Sequence, residues 1–135
     1  MSSKKRVECT IDLGSSIDKI WNTMTDNSNY AWRSDLSKIT VSDGGNSFVE
    51  YTKSGYPTEF TITLKIPHER YEFDMKNDNM SGHWTGIFTK SNARTRVTLI
   101  EEVEVNGLVK SLFAGMYLKK QQKNYIADLK KALGE

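Results

Sequence analysis

The feature that most limits how this chain can fold is the stretch from residue 36 to 106. There, six segments of alternating apolar and polar residues follow one another across short turns. Such turns close antiparallel pairs, because a parallel pair needs a crossover of about a dozen residues or more. Leu36 to Val41 ends at Ser42-Asp43-Gly44-Gly45-Asn46, a run of turn-forming residues. Phe48 to Lys53 follows, then Ser54-Gly55. Thr58 to Ile66 sets Phe60, Ile62, Leu64 and Ile66 on one face, and Pro67-His68 breaks it. Tyr71, Phe73 and Met75 alternate with Glu72, Asp74 and Lys76 before the Asn77-Asp78-Asn79 turn. His83 to Lys90 and Arg94 to Val105 complete the series, and Asn106-Gly107 closes it.

Two patterns frame these strands. Val7 to Leu13 alternates strictly and supplies a seventh strand. Gly14 ends it, and Ser15 or Ser16 is placed to cap a helix whose apolar face is Ile17, Ile20, Trp21 and Met24. A second short helical stretch is predicted around Ser28 to Arg33. After the strands, Leu108 to Leu133 reads as one helix, with Leu108, Leu112, Gly115, Gln122, Ile126, Leu129 and Leu133 spaced by sums of three and four. At ~1.5 Å per residue it is about 39 Å long. No other element is large enough to cover a face of the sheet. The expected class is α+β: a seven-stranded curved antiparallel sheet wrapped around a long C-terminal helix, with two short helices after the first strand. All of residues 1–135 read as one domain, without linker or repeat. A curved sheet closed on one helix leaves a gap, which side chains or a ligand must fill.

Composition bears on that gap. Leu, Ile, Val and Phe make up only 30 of 135 residues, while 6 Tyr, 3 Trp and 5 Met supply further large apolar surface. That aliphatic share lies just above the ~20% below which disorder is expected. The interior therefore leans on aromatic and thioether groups. Tyr71, Phe73, Met75, Trp84, Phe88, Phe113 and Met116 fall where sheet and helix should face each other, a placement that suits a lining as well as a solid core.

Charge and cysteine content exclude several classes. The net charge of +2 is spread along the chain, so no concentrated basic patch marks a nucleic-acid surface. The lysines at 119, 120, 123, 130 and 131 read as a solvated helix face. No apolar run approaches the ~18 residues needed to span a bilayer, and no apolar stretch behind Lys4-Lys5-Arg6 suggests a secretory signal. One Cys and two His residues give no disulfide and no metal-ligand cluster, so neither metal nor other cofactor is expected, and a reducing cytoplasm is the expected compartment.

The chain resembles the helix-grip, START-like (SRPBCC) superfamily, which includes the birch pollen allergen, polyketide cyclases and lipid-transfer domains. The resemblance covers essentially the whole chain. It is carried by the opening strand with Ile20-Trp21-Asn22 and Thr25-Asp26, by Trp32, by Glu69-Arg70-Tyr71-Glu72-Phe73, and by Gly82-His83-Trp84-Thr85-Gly86. Thr95-Arg96-Val97-Thr98 and the closing Asp128-Leu129-Lys130-Lys131-Ala132-Leu133 complete it. It implies binding of a small hydrophobic or lipid-like molecule between sheet and helix, by a monomer or homodimer. The alternatives it leaves are a polyketide cyclase-like enzyme and a protein-interaction domain of the chaperone-activator kind. No branch-specific catalytic motif is present.

Glu101 is the leading candidate for chemistry. It shares the parity of Val97, Leu99, Val103 and Val105, so it should point inward. A buried carboxylate is costly unless paired, hydrogen-bonded or protonated. Glu101 is then a polar anchor or a general acid or base in the pocket, unless a bulge in this long strand shifts the register or the residue sits at the pocket mouth in water. Trp84 shares parity with Gly86 and Phe88. It is either core or a stacking wall, with Gly86 leaving space beside it, while His83 faces out. Trp32 and Arg33 are expected to flank the cavity entrance, where Arg33 either pairs a ligand carboxylate or sits at the surface near Asp35.

Overall fold

The computed structural model describes residues 2–135, and the side chains of 4–107 and 112–135. The elements are β1 (Ser2–Leu13), α1 (Ile17–Thr25), β2 (Leu36–Ser42), β3 (Ser47–Thr52), β4 (Pro57–Ile66), β5 (Arg70–Lys76), β6 (Met80–Ser91), β7 (Arg94–Asn106) and α2 (Leu108–Ala132). The strands form one curved sheet in the order β1-β7-β6-β5-β4-β3-β2, every neighbouring pair antiparallel. From β2 to β7 the chain meanders, and β1 joins the free edge of β7. Among the described residues, no helix is long and apolar enough to cross a membrane.

Local chemistry sets α1. Ser16 Oγ accepts from the Lys19 backbone N–H at 3.2 Å, satisfying one of the donors left open at a helix start. Ile20, Trp21 and Met24 are buried beneath it. The second short helix expected near Ser28 to Arg33 does not form. That segment is a pair of turns, with Asn29 N–H on Asp26 O at 3.2 Å and Arg33 N–H on Tyr30 O at 2.9 Å. The Asp26 carboxylate takes the Ser28 N–H at 3.1 Å, the side-chain competition for backbone donors that disfavours helix in runs of Asp, Asn and Ser.

Two patterns read from sequence are altered by the packing. In β4 the pairing passes from Ile62↔Phe73 to Leu64↔Glu72, so one extra residue is inserted. This bulge reverses the parity beyond it, and Leu64 and Ile66 turn to the outer face rather than joining Phe60 and Ile62 inside. In α2 the buried stripe is Ala114, Leu118, Gln122, Leu129 and Leu133, whereas Leu112 is 69% exposed. Leu112 lies two residues from Ala114, about 200° round the helix. Leu108 lies outside the residues whose side chains are described.

The core follows from the sheet register. Phe48 pairs with Phe60, and Phe73 pairs with Trp84, placing four aromatic rings side by side across β3, β4, β5 and β6. Phe48 stacks on Phe60 at 4.8 Å, Phe60 meets Phe73 edge-on at 5.2 Å, and Phe73 stacks on Trp84 at 4.7 Å. Each such ring pair adds about 0.5–1.5 kcal/mol beyond area burial. At the other end of the core, Trp21 from α1 meets Phe88 at 5.0 Å and Tyr71 at 6.0 Å. The closest approach of α2 to the sheet is along β1 and β7. The aromatic rungs of β3 to β5 therefore stand away from the helix.

The outer face carries its own polar cluster. His83 Nε2 lies 2.7 Å from Glu72, and Nδ1 lies 2.7 Å from Asp74. Partial burial lowers the imidazole pKa, but the two carboxylates outweigh it and hold it above its usual value. A raised histidine stabilises the fold below about pH 6.5, and the gain disappears as pH rises through the folded value. His83→Gln is therefore expected to cost more at pH 6 than at pH 8. The cost stays under about 1 kcal/mol, as for exposed pairs. Urea titrations at the two pH values check this.

Candidate functional site

The row of aromatic rungs does not stop at Trp84. The next partner in register is Glu101 on β7, and beyond it Val7 on β1. Neither the β1–β7 nor the β6–β7 ladder shifts register along its length. Val97, Leu99, Val103 and Val105 are all buried on the same parity as Glu101. The bulge that would have turned Glu101 outward is absent from β7, and its carboxyl points into the space between sheet and helix.

That space is a cavity of about 490 Å³. Its floor is the aromatic row with Tyr71, Met75 and Leu99, and its roof is α2 through Ala114, Leu118, Gln122 and Tyr125. The rim includes Phe113 and Tyr117, 59% and 56% exposed. Thr58, Tyr56, Asn77 and Asn79 add polar groups where β4 begins and β5 turns into β6. There Asn77 Nδ2 donates to Thr58 Oγ1 at 3.0 Å, and Asn79 Nδ2 to Tyr56 Oη at 2.9 Å.

Of the residues singled out from sequence, Tyr71, Phe73, Met75, Trp84, Glu101, Arg33 and Phe113 line this cavity. Three do not. Phe88 is buried against Trp21, at the α1 end of the core. Met116 is 72% exposed, on the side of α2 turned from the sheet. Trp32 packs outside the lining, edge-on to Tyr125 at 5.3 Å. Gly86 does not open space either. A Cβ there would lie 2.9 Å from the indole atoms of Trp84, so the Trp84 ring fills the place that glycine leaves.

Arg33 reaches the cavity through a fixed loop. Asp128 on α2 accepts from both Ser34 N and Ser34 Oγ at 2.8 Å, anchoring residues next to it. The guanidinium grips Asp35 with Nε and Nη2 at 3.1 Å each, and meets Glu50 of β3 at 3.4 and 3.5 Å. It lies over the Tyr125 ring at 5.0 Å. Its side chain is only 14% exposed, so it is a buried linker of two carboxylates and not a surface charge. Burial works to lower its pKa, but Glu50 and Asp35 carry it above the usual arginine value.

The cavity carboxyls differ in their partners. Burial raises Glu50, and Arg33 only partly opposes the shift. Among the described residues the Glu101 carboxyl, which borders the cavity, has no hydrogen-bond partner. Burial first, then the nearby Glu50 charge, push its pKa up to about 7, against the pull of Arg33. The phenols of Tyr71 and Tyr125 are likewise raised by burial and stay protonated. Tyr71 Oη accepts from Asn27 Nδ2 at 3.3 Å, leaving its own proton free to donate. At neutral pH the walls thus offer an apolar chamber with a carboxyl near its titration point.

A carboxyl raised in the fold loses stability as it ionises. Between about pH 4.5 and 7 the unfolded chain gives up this proton first, so stability falls as pH rises. Glu101→Gln should therefore stabilise the protein at pH 8, by on the order of 2 kcal/mol, and change it little at pH 4. Urea unfolding at both pH values, with the ¹³C shift of the carboxyl followed by NMR, checks this.

Glu50 and Tyr125 are missed by sequence reasoning, which names Asp35 only as a neighbour of Arg33 and Gln122 only as a position in the helix stripe. Glu50 shares parity with Phe48 within β3, and that alternation was a readable signal. Tyr125 follows Leu118 and Gln122 at helical spacing, one residue before the Ile126 of the predicted stripe.

A curved antiparallel sheet closed over a lined chamber by one long helix defines the helix-grip class. The chain belongs to the polyketide cyclase / dehydrase and lipid transport family, whose model matches residues 4–134. Solved structures share the fold at low identity. A conserved protein from Geobacillus kaustophilus superposes with a TM-score of 0.83 at 14% identity, covering 96% of this chain and 95% of that one. A START superfamily protein from Mycobacterium smegmatis gives 0.78 at 14%, covering 96% and 97%. DynU16, from the dynemicin biosynthetic locus, gives 0.75 at 15%, covering 96% of this chain and 47% of that one. No curated protein matches by sequence. The family and the START-like fold fit ligand binding.

Proposed function

We propose that this chain, acting as one domain, binds a small and mainly hydrophobic molecule in the chamber between sheet and α2, with Glu101 anchoring its polar end. The observation that carries this reading is the cavity of about 490 Å³ with an aromatic floor and, in its lining, the Glu101 carboxyl without a hydrogen-bond partner among the described residues. Its size falls in the ~300–1,000 Å³ range of ligand pockets, which are mostly apolar with a few placed polar groups. Rim residues Phe113 and Tyr117 offer a route in past the first half of α2. Native mass spectrometry of the gently purified protein tests the reading. A copurified or added small molecule bound one to one is the expected result, and a protein that retains none of a panel of lipids and aromatics would oppose it.

A second reading has its own support. A carboxyl near pKa 7 inside an apolar pocket is suited to general acid or base work, as in a cyclase or dehydratase. Glu101→Gln separates the two. It abolishes turnover of any substrate found if Glu101 moves a proton, and leaves turnover intact if the residue only anchors.

A further inference from the structure

The charges around the cavity are unequal. Its described charged lining residues are Asp35, Glu50, Glu101 and Arg33, three acids and one base. The base is fully engaged, held by Asp35 on one edge and Glu50 on the other. Glu101 feels Arg33 only at a distance and has no ion-pair partner among the described residues, and no side chain from β5, β6 or α2 in the lining supplies a cation.

Resting on the binding reading above, we propose that the chamber selects an amphiphile whose polar end is a protonated amine, seated against Glu101 beside the Trp84 ring. An anionic head group would meet three carboxyls and find no free donor cation, so a fatty acid or phosphate ester is disfavoured by charge. A buried ammonium needs a paired anion to offset its lost hydration, and the unpartnered carboxyl is that anion. Trp84 is the register partner of Glu101 and meets Tyr125 edge-on at 6.3 Å, and the face of an indole attracts cations. The apolar body then extends along the Phe48, Phe60 and Phe73 rungs.

Binding couples to pH in a definite direction. The ammonium takes the place of the Glu101 proton, which leaves to solvent. The groups facing Glu101 are Glu50 from β3, Arg33 and Asp35 from the loop, Tyr71 from β5 and Tyr125 from α2. Cys9 of β1 borders it, β6 presents the neutral Trp84, and Tyr56 and Tyr117 stand farther out in the lining. The two phenols facing Glu101 remain protonated and Arg33 remains charged through neutrality, so Glu101 is the group that responds. Its ionised fraction rises about tenfold between pH 6 and pH 8 for titration near 7.

The test compares decylamine, decan-1-ol and decanoate, which share one apolar body, by calorimetry and tryptophan emission. At pH 8 decylamine is expected to bind at least about tenfold more tightly than decanoate, and more tightly than decan-1-ol. Its affinity should rise about tenfold from pH 6 to pH 8. Glu101→Gln should remove that rise and the amine preference. If decan-1-ol or decanoate binds as well as the amine, the chamber reading stands and the amine proposal falls. If none of the three binds, both fall.

Discussion

Replacing Arg33 with Met is expected to lower folding stability by about 3–5 kcal/mol, the usual cost of removing one partner from a buried ion pair. The change would be read as a fall in the urea midpoint at constant slope. The size follows from what Arg33 leaves behind. Asp35 and Glu50 sit on either side of the guanidinium, the Glu50 side chain only 15% exposed. Without Arg33 the Glu50 carboxylate has no cation among the described residues, and Glu101 across the cavity adds like charge. The double variant Arg33→Met with Glu50→Gln should recover much of the loss, because the orphaned charge is then gone. A cost below about 1 kcal/mol, the range of exposed pairs, would mean that Arg33 is not the buried link described here.

Phe73→Ala is expected to have a comparable effect, about 3–5 kcal/mol. Its ring stacks on Trp84 at 4.7 Å and meets Phe60, Tyr71 and Phe48 at 5.2, 5.5 and 5.8 Å. The surrounding sheet is hydrogen-bonded on both sides of β5 and cannot collapse into the gap. The lost ring instead joins the existing cavity, which should then take up bulkier ligands. Phe113→Ala, on the exposed rim, is the contrast: within about 0.5 kcal/mol in stability, as at most surface positions. Parallel urea titrations and ligand panels for the two variants separate wall from rim.

Much of the sheet was legible because its alternation has a period of two and its turns are short. The parity of β7 placed Glu101 correctly, since two unshifted ladders hold that strand on both sides. The parity of β4 misled beyond Ile62, because a bulge leaves no mark in the apolar pattern of Leu64 and Ile66. The segment at Ser28 to Arg33 failed for a local reason: the Asp26 side chain takes a backbone donor that a helix would have used.

The helix and the site were legible only in part. Several stripes fit the spacing of α2, and only contact with β1 and β7 selects the one through Ala114, Leu118 and Gln122. Met116 followed the wrong stripe for that reason. Arg33 stands out because the resembled fold sets its segment at the cavity entrance, with Asp35 as a surface neighbour, but its second partner, Glu50, is 17 residues away and is brought to it only by the turn of β2 into β3. The charge excess of the cavity therefore had no signature in the sequence, where acids and bases nearly balance.

The claim on which the rest depends is that the chamber over the aromatic rungs takes up a ligand. It is tested most directly in a protein whose only indole is Trp84, with Trp21 and Trp32 replaced by Phe, titrated with decan-1-ol. A saturable change in Trp84 emission at one equivalent is the expected result, lost when Ala114→Phe fills the space from the helix side. Emission that never changes, or that changes equally in the filled variant, would contradict it.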